Sequence, residues 1–183
     1  MKKIALVLLF VPVIAFAGSK IVRYSMGGDI RVADAPHGAV LRTMGGDIRV
    51  KSSNGTVTAK TMGGDIRVDR LEGSLDAGTM GGDVDVEVLN AGNGRDIKIS
   101  SMGGSIDVTL PKDFAADFEV QLEQDRDGRP HKIVSDFPLQ IEKSTRRHWF
   151  RRVEVLTGTG RSGSGANHIR LWTIGSNITI RAK

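Results

Sequence analysis

Three side chains capable of chemistry recur in this chain at a fixed interval. The string MGGDIRV is written identically from Met26, Met44 and Met62, and related copies follow as TMGGDVDV from Thr79, SMGGSIDV from Ser101 and TIGSNITI from Thr173. The copies align methionines 26, 44, 62, 80 and 102, aspartates 29, 47, 65 and 83, and the arginines Arg31, Arg49 and Arg67. Thioethers select Cu(I), glycine-aspartate repeats bind calcium in secreted β-rolls, and an arginine strip can face phosphate or acidic glycan. Each column also has a structural reading. Methionine on the strand face of Ile and Val is an adaptable core filler, and Ile174 keeps its volume in the last copy, so the expectation is a buried column. The aspartate follows the glycine pair at once and recurs every 18 residues, unlike the nine-residue half-period of the calcium repeats. Ser105 and Asn177 replace it, which favours a turn role. The arginine column changes sign at Asp85 and Asp107, so an exposed ladder of opposite charges is the simpler account, each pair worth about 0–1 kcal/mol.

A second candidate is RRHWFRR, from Arg146 to Arg152. Arg146, Arg147, Arg151 and Arg152 flank Trp149 and Phe150, a mixture that can stack and hold phosphate. The competing reading is a strand with Trp149, Val153 and Val155 on one inward face. An enzyme needs a convergent acid, base or nucleophile. Here the acids and arginines recur evenly, cysteine is absent, and the four histidines (His37, His131, His148, His168) are scattered. The Asp-x-Arg strand also lacks the rows of Thr-x-Thr suited to ice binding.

The elements that would position these columns are short strands. In DIRV from Asp29, Ile30 and Val32 share one face while Asp29 and Arg31 share the other, the period of a strand. GAVLRT from Gly38 and GTVTAKT from Gly55 supply a second strand per interval. Two strands and two turns in 18 residues leave no room for an ordinary helix. A fixed period near 20 residues is the mark of a solenoid whose repeats pack on their neighbours. The glycine pairs Gly27-Gly28, Gly45-Gly46, Gly63-Gly64, Gly81-Gly82 and Gly103-Gly104 then form a corner column that needs positive φ or close backbone approach. Counting by six from Ile30 meets Pro36 and Arg42, which excludes the left-handed hexapeptide helix. The expected fold is all-β: a single-domain, right-handed parallel β-solenoid of about 18 residues per rung.

The recurrent Ser/Thr-x-Gly-Asp-Ile-x-Val pattern, VTLPKDFAADFEV from Val108, SDFPL from Ser135 and GSGANHIRLWTIGSNITI from Gly163 resemble a bacterial family of adhesin-like β-strand-repeat domains. The resemblance covers most of residues 18–183 and implies a β-solenoid in exported or envelope proteins, with no catalytic residues to carry over. The Met-Gly-Gly corner and the basic insertion near Arg146 depart from that family's usual pattern.

The ends and composition add the compartment. Lys2 and Lys3, the apolar run from Ile4 to Phe16, and small residues at Ala15 and Ala17 have the layout of a secretory signal over 1–17. The run falls short of the roughly 20 apolar residues of a spanning helix. Removing it lowers the formal charge of +5. An exported chain without cysteine cannot be held by disulfides. Residues 18–183 then form one repeat domain with an irregular, basic excursion at about 111–165. The expectation is an exported, non-enzymatic structural or adhesive module of the periplasm or cell surface. It would need no cofactor or metal, and would meet anionic envelope glycan, lipopolysaccharide or another envelope protein rather than nucleic acid. The alternative is a polysaccharide-acting lyase or hydrolase on a β-helix scaffold.

Overall fold

Alternating side chains organise almost every element of the computed structural model, which describes residues 18–124, 130–148 and 151–183. The expected signal segment lies outside the described residues. The strands, in chain order, are β1 (Ile21–Ser25), β2 (Ile30–Val32), β3 (Ala39–Thr43), β4 (Ile48–Val50), β5 (Val57–Lys60), β6 (Ile66–Leu71), β7 (Leu75–Thr79) and β8 (Val84–Val88). They continue as β9 (Asp96–Ser101), β10 (Ile106–Leu110), β11 (Ala116–Glu123), β12 (Ile133–Ser135), β13 (Gln140–His148), β14 (Arg151–Ser162), β15 (Asn167–Ile174) and β16 (Ile178–Ala182). No helix occurs among the described residues.

The strands form two parallel-rich sheets, as in a β-solenoid. One runs β1-β3-β5-β7-β9-β15-β11-β14-β13 and the other β12-β16-β10-β8-β6-β4-β2. From β1 to β12, and again in β15 and β16, each successive pair of strands contributes one strand to each sheet, so a layer comprises two strands and two corners, while β13 and β14 both join the first sheet. Ile30 pairs with Ile48, Ile48 with Ile66 and Ile66 with Val84, and the row continues through Ile106 to Ile178. Across the core, Leu41, Ala59, Ala77, Ile99, Leu171 and Val120 form the facing row. All twelve are buried. Parallel pairing in register stacks like on like, and each buried Ile, Leu or Val adds about 1.5–3 kcal/mol of hydrophobic stabilisation.

The closing segment is placed differently from the sequence reading, which puts the irregular excursion between regular rungs. β15 lies between β9 and β11, and β16 between β10 and β12. The last copy of the repeat thus rests directly on the fifth, with Thr173 beside Ser101 and Ile178 beside Ile106. The excursion is pushed outward, where β14 pairs antiparallel with both β11 and β13. β13 and β14 are too close in sequence to pair in any other sense. The inward row of β15 matches both neighbours in register, with Leu171 between Ile99 and Val120.

The glycine column is required for one reason at one of its two positions. A Cβ on Gly64 would fall 2.5 Å from the carbonyl carbon of Gly46, and one on Gly82 at the same distance from that of Gly64. The first glycine of each pair is open: a Cβ on Gly63 would meet nothing nearer than the Met44 carbonyl oxygen at 3.9 Å. None of the ten corner glycines has positive φ. Gly46, Gly64, Gly82 and Gly104 therefore carry the close approach; Gly28, in the first layer, would meet only the Ser25 hydroxyl at 3.3 Å, and Gly27, Gly45, Gly63, Gly81 and Gly103 are open. Behind the corner stands a hydroxyl ladder that sequence reasoning missed. Thr61 donates to the Gly46 carbonyl at 3.0 Å and accepts from the Gly64 N–H at 3.2 Å. Thr79 and Ser101 repeat this on the next two layers.

Candidate functional site

The aspartate column proves to be part of the corner. The Asp65 N–H donates to Asp47 Oδ1 at 2.9 Å, Asp83 to Asp65 at 2.8 Å and Ser105 to Asp83 at 2.6 Å. Each carboxylate thus satisfies a backbone donor one layer further on, a bond between layers and not one within the turn. Farther along, Asn177 accepts from the Lys132 N–H at 2.9 Å.

The methionine column is not buried, which corrects the core-filler expectation. Met26, Met44, Met62, Met80 and Met102 are between 47 and 83% exposed. Met44 comes one place after buried Thr43, so the alternation of β3 sends it outward, while counting back in twos from Ile48 fails because the corner intervenes.

Arg31, Arg49 and Arg67 do form a row, in register on the outer face of the second sheet. Each already has a carboxylate: Arg31 meets Asp29 at 2.9 Å, Arg49 meets Asp69 at 3.0 Å, and Arg67 meets Asp69 at 2.8 Å and Asp85 at 3.3 Å. Asp69, not Asp47 or Asp65, bridges the row, because those two acids are turned to the backbone. Burial pushes the Asp69 carboxyl up, but its hydrogen bonds and charge contacts with Arg67 and Arg49 outweigh that and hold it below the usual carboxylate range. The hydrogen bond to Asp69 correspondingly raises Arg67.

In the RRHWFRR segment, Arg146 is exposed on β13. Arg147 pairs with Arg152 and His148 with Arg151 along the backbone. Trp149 and Phe150, and the side chains of Arg147, Arg151 and Arg152, lie outside the described residues. Val155, on the inward face expected of this strand, is buried.

The most varied polar surface is one the sequence reading did not single out, the outer face of β9, β15 and β11. Asp96, His168 and Asp117 lie in one register row, Lys98, Arg170 and Glu119 in the next, and Ser100, Trp172 and Gln121 in the third. The signal was present: Ile169 and Leu171 alternate inward, so His168, Arg170 and Trp172 must face out. A depression of about 290 Å³ is lined by Lys98, Ser100, Glu119, Gln121, Arg170 and Trp172, among others. Arg170 grips Asp96 through both carboxylate oxygens at 2.9 and 2.7 Å. Arg161 holds Asp117 at 2.5 and 3.1 Å, and that hydrogen bond lowers the Asp117 pKa. Trp172 Nε1 donates to Glu123 at 3.4 Å. A half-buried indole amid amides, carboxylates and an ammonium is suited to sugar rings and their hydroxyls. Asp96 and Asp117, two rows away on the same face, are committed to guanidinium groups, whereas Glu123 beside the indole accepts from Trp172 and Gln121. No group of three or more His, Cys, Asp or Glu arranged to hold a metal occurs among the described residues.

The family model described as Toastrack DUF4097 matches residues 20–180. It agrees with the resemblance as to a repeat-like β family, while its description carries no adhesive role. No curated protein and no solved structure matches the chain significantly.

Proposed function

The chain belongs to the Toastrack DUF4097 family, and we propose that it is an exported, non-enzymatic structural or adhesive module of the cell envelope. We read its finer architecture as a single-domain, right-handed β-solenoid, and the register offset of the first strands supports about 18 residues per rung. The observation that carries the functional reading is the arrangement of charge. Acids and arginines neutralise each other along flat faces, and Asp96 and Asp117 of the β9–β15–β11 face are held by Arg170 and Arg161. The hydrogen bond from Arg161 holds Asp117 below the usual carboxylate range, which makes it a poor general acid and weighs against the polysaccharide-cleaving alternative. A flat polar face with one indole suits retention of a glycan instead. The partner class is envelope glycan, acidic polysaccharide or lipopolysaccharide, met on the β9–β15–β11 face. No helix among the described residues is long and apolar enough to cross a membrane.

The test is co-sedimentation of the full chain with envelope polysaccharide, beside Trp172→Ala and a fourfold serine variant of Arg146, Arg147, Arg151 and Arg152. Wild-type retention that falls roughly tenfold in the Trp172 variant, with melting preserved, supports this face. Retention lost only in the arginine variant moves the site to the hairpin. Soluble sugar released from the polysaccharide by the wild type would overturn the non-enzymatic reading. Export predicts a mature N-terminus at Gly18, and protein recovered from cells with Met1 intact contradicts it.

A further inference from the structure

Apart from Met1, every methionine of this chain stands in one exposed row: Met26, Met44, Met62, Met80 and Met102. The strands leading into them are in parallel register, Ser25 beside Thr43 and Thr79 beside Ser101, so consecutive methionines stand one layer apart. The corners bear directly on each other, since the Met44, Met62 and Met80 carbonyl oxygens lie 3.6–3.9 Å from the Cβ positions of Gly63, Gly81 and Gly103. Stacked layers are about 4.8 Å apart, a gap that two flexible thioether side chains can close around one ion.

Packing does not explain the residue type. These side chains leave the core, and an exposed apolar row is a liability on a β protein. The copies vary around it: Arg31 and Arg49 correspond to Asp85 and Asp107, Asp29 to Ser105, and Thr79 to Ser101, while the sulfur stays in all five. Ile174, which follows Met102 in the stack, is half-buried. Sulfur is therefore kept where the side chain meets solvent and is absent from the half-buried position.

We propose that this row is a binding site for a soft monovalent cation, Cu(I) or its analogue Ag(I), held between thioethers of neighbouring layers. Neutral thioethers favour soft ions over Zn(II), Ca(II) or Mg(II). The centre of the site is Met62, Met80 and Met102. Arg42 lines the depression shared with Met26 and Met44 and adds positive charge there. Beside the central methionines the outer-face positions are Lys60, Gly78 and Ser100, and the Lys60 ammonium is neutralised by Asp76 at 2.6 Å. Binding involves no change of oxidation state. The site borders the glycan face at Ser100, but its methionine ligands are not among that face's residues, and it does not depend on that reading.

The experiment is a titration of the full-length chain, carrying ¹³C-methyl methionine, with Ag(I) nitrate, repeated with Cu(I) kept reduced by ascorbate. The expected result is saturable shifts of the Met62, Met80 and Met102 methyl signals at about one or two ions per chain, with none from Zn(II). A triple Met→Leu variant at 62, 80 and 102 keeps the volume, and its affinity should fall roughly tenfold or more. Met26→Leu with Met44→Leu should retain binding, and melting curves of both variants should match the wild type. Unshifted methyl signals in the wild type, or unchanged affinity in the triple variant, overturn the proposal. The methyl shifts give the answer on the wild-type protein even if a variant folds poorly.

Discussion

At the scale of single residues, the corner makes a distinction between adjacent glycines that composition cannot. Gly63 has room for a side chain and Gly64 has none, because the second glycine lies against the carbonyl of the layer before it. Gly64→Ala should cost about 1–3 kcal/mol, whereas Gly63→Ala should stay within about 0.5 kcal/mol of the wild type. Denaturant melts of the two variants decide it, and equal losses would contradict the stacking of the corners. The buried hydroxyls make a second demand. Thr79→Val keeps the shape but strips partners from the Gly64 carbonyl and the Gly82 N–H. Leaving such buried groups unmatched costs about 1–3 kcal/mol, so a melt unchanged from wild type would mean that water replaces the hydroxyl.

At the scale of elements, the charged rows on the second sheet act as ladders, and Asp69 is their hub. Its folded pKa is depressed below the ordinary aspartate value of 3.8, so the stabilisation is fully present above the unfolded pKa. It is lost as pH falls from near 3.8 through the lower folded value. Asp69→Asn should therefore flatten the stability profile in that acidic window and cost up to about 1 kcal/mol at neutral pH. A variant whose profile parallels the wild type down to acid would show that Asp69 adds nothing. The alternation of Ile30 and Val32 against Arg31 made strands and inward faces legible in the sequence, and the repeated copies made the stacking legible. The methionine face was misread because period-2 reasoning does not hold across a corner. The Asp69 bridge and the order of the closing layers escaped for a related reason: both depend on neighbours distant in sequence. Asp69 lies outside the repeated string, and β15 reaches the slot between β9 and β11 only after β11 to β14 have been made. Trp172 was legible from its alternation with Leu171, but the partners that surround it come from β9 and β11.

At the scale of the molecule, the two sheets are closed by the chain's last segment. β15 and β16 bridge layers that do not otherwise pair, so the fold is completed by late insertion. Deleting residues 167–183 should abolish cooperative melting instead of merely shortening the stack, and a truncated chain with a sharp, wild-type-like transition would contradict the interleaved order. The same insertion builds the face proposed to bind glycan, since His168, Arg170 and Trp172 come from the inserted strand while their neighbours come from β9 and β11. The most direct test of that central claim is chemical-shift mapping of the full chain titrated with an acidic envelope polysaccharide fragment. Saturable shifts confined to residues 96–100, 117–123 and 168–172 are the predicted result. Shifts concentrated on Arg31, Arg49 and Arg67, or none at saturating glycan, would contradict it.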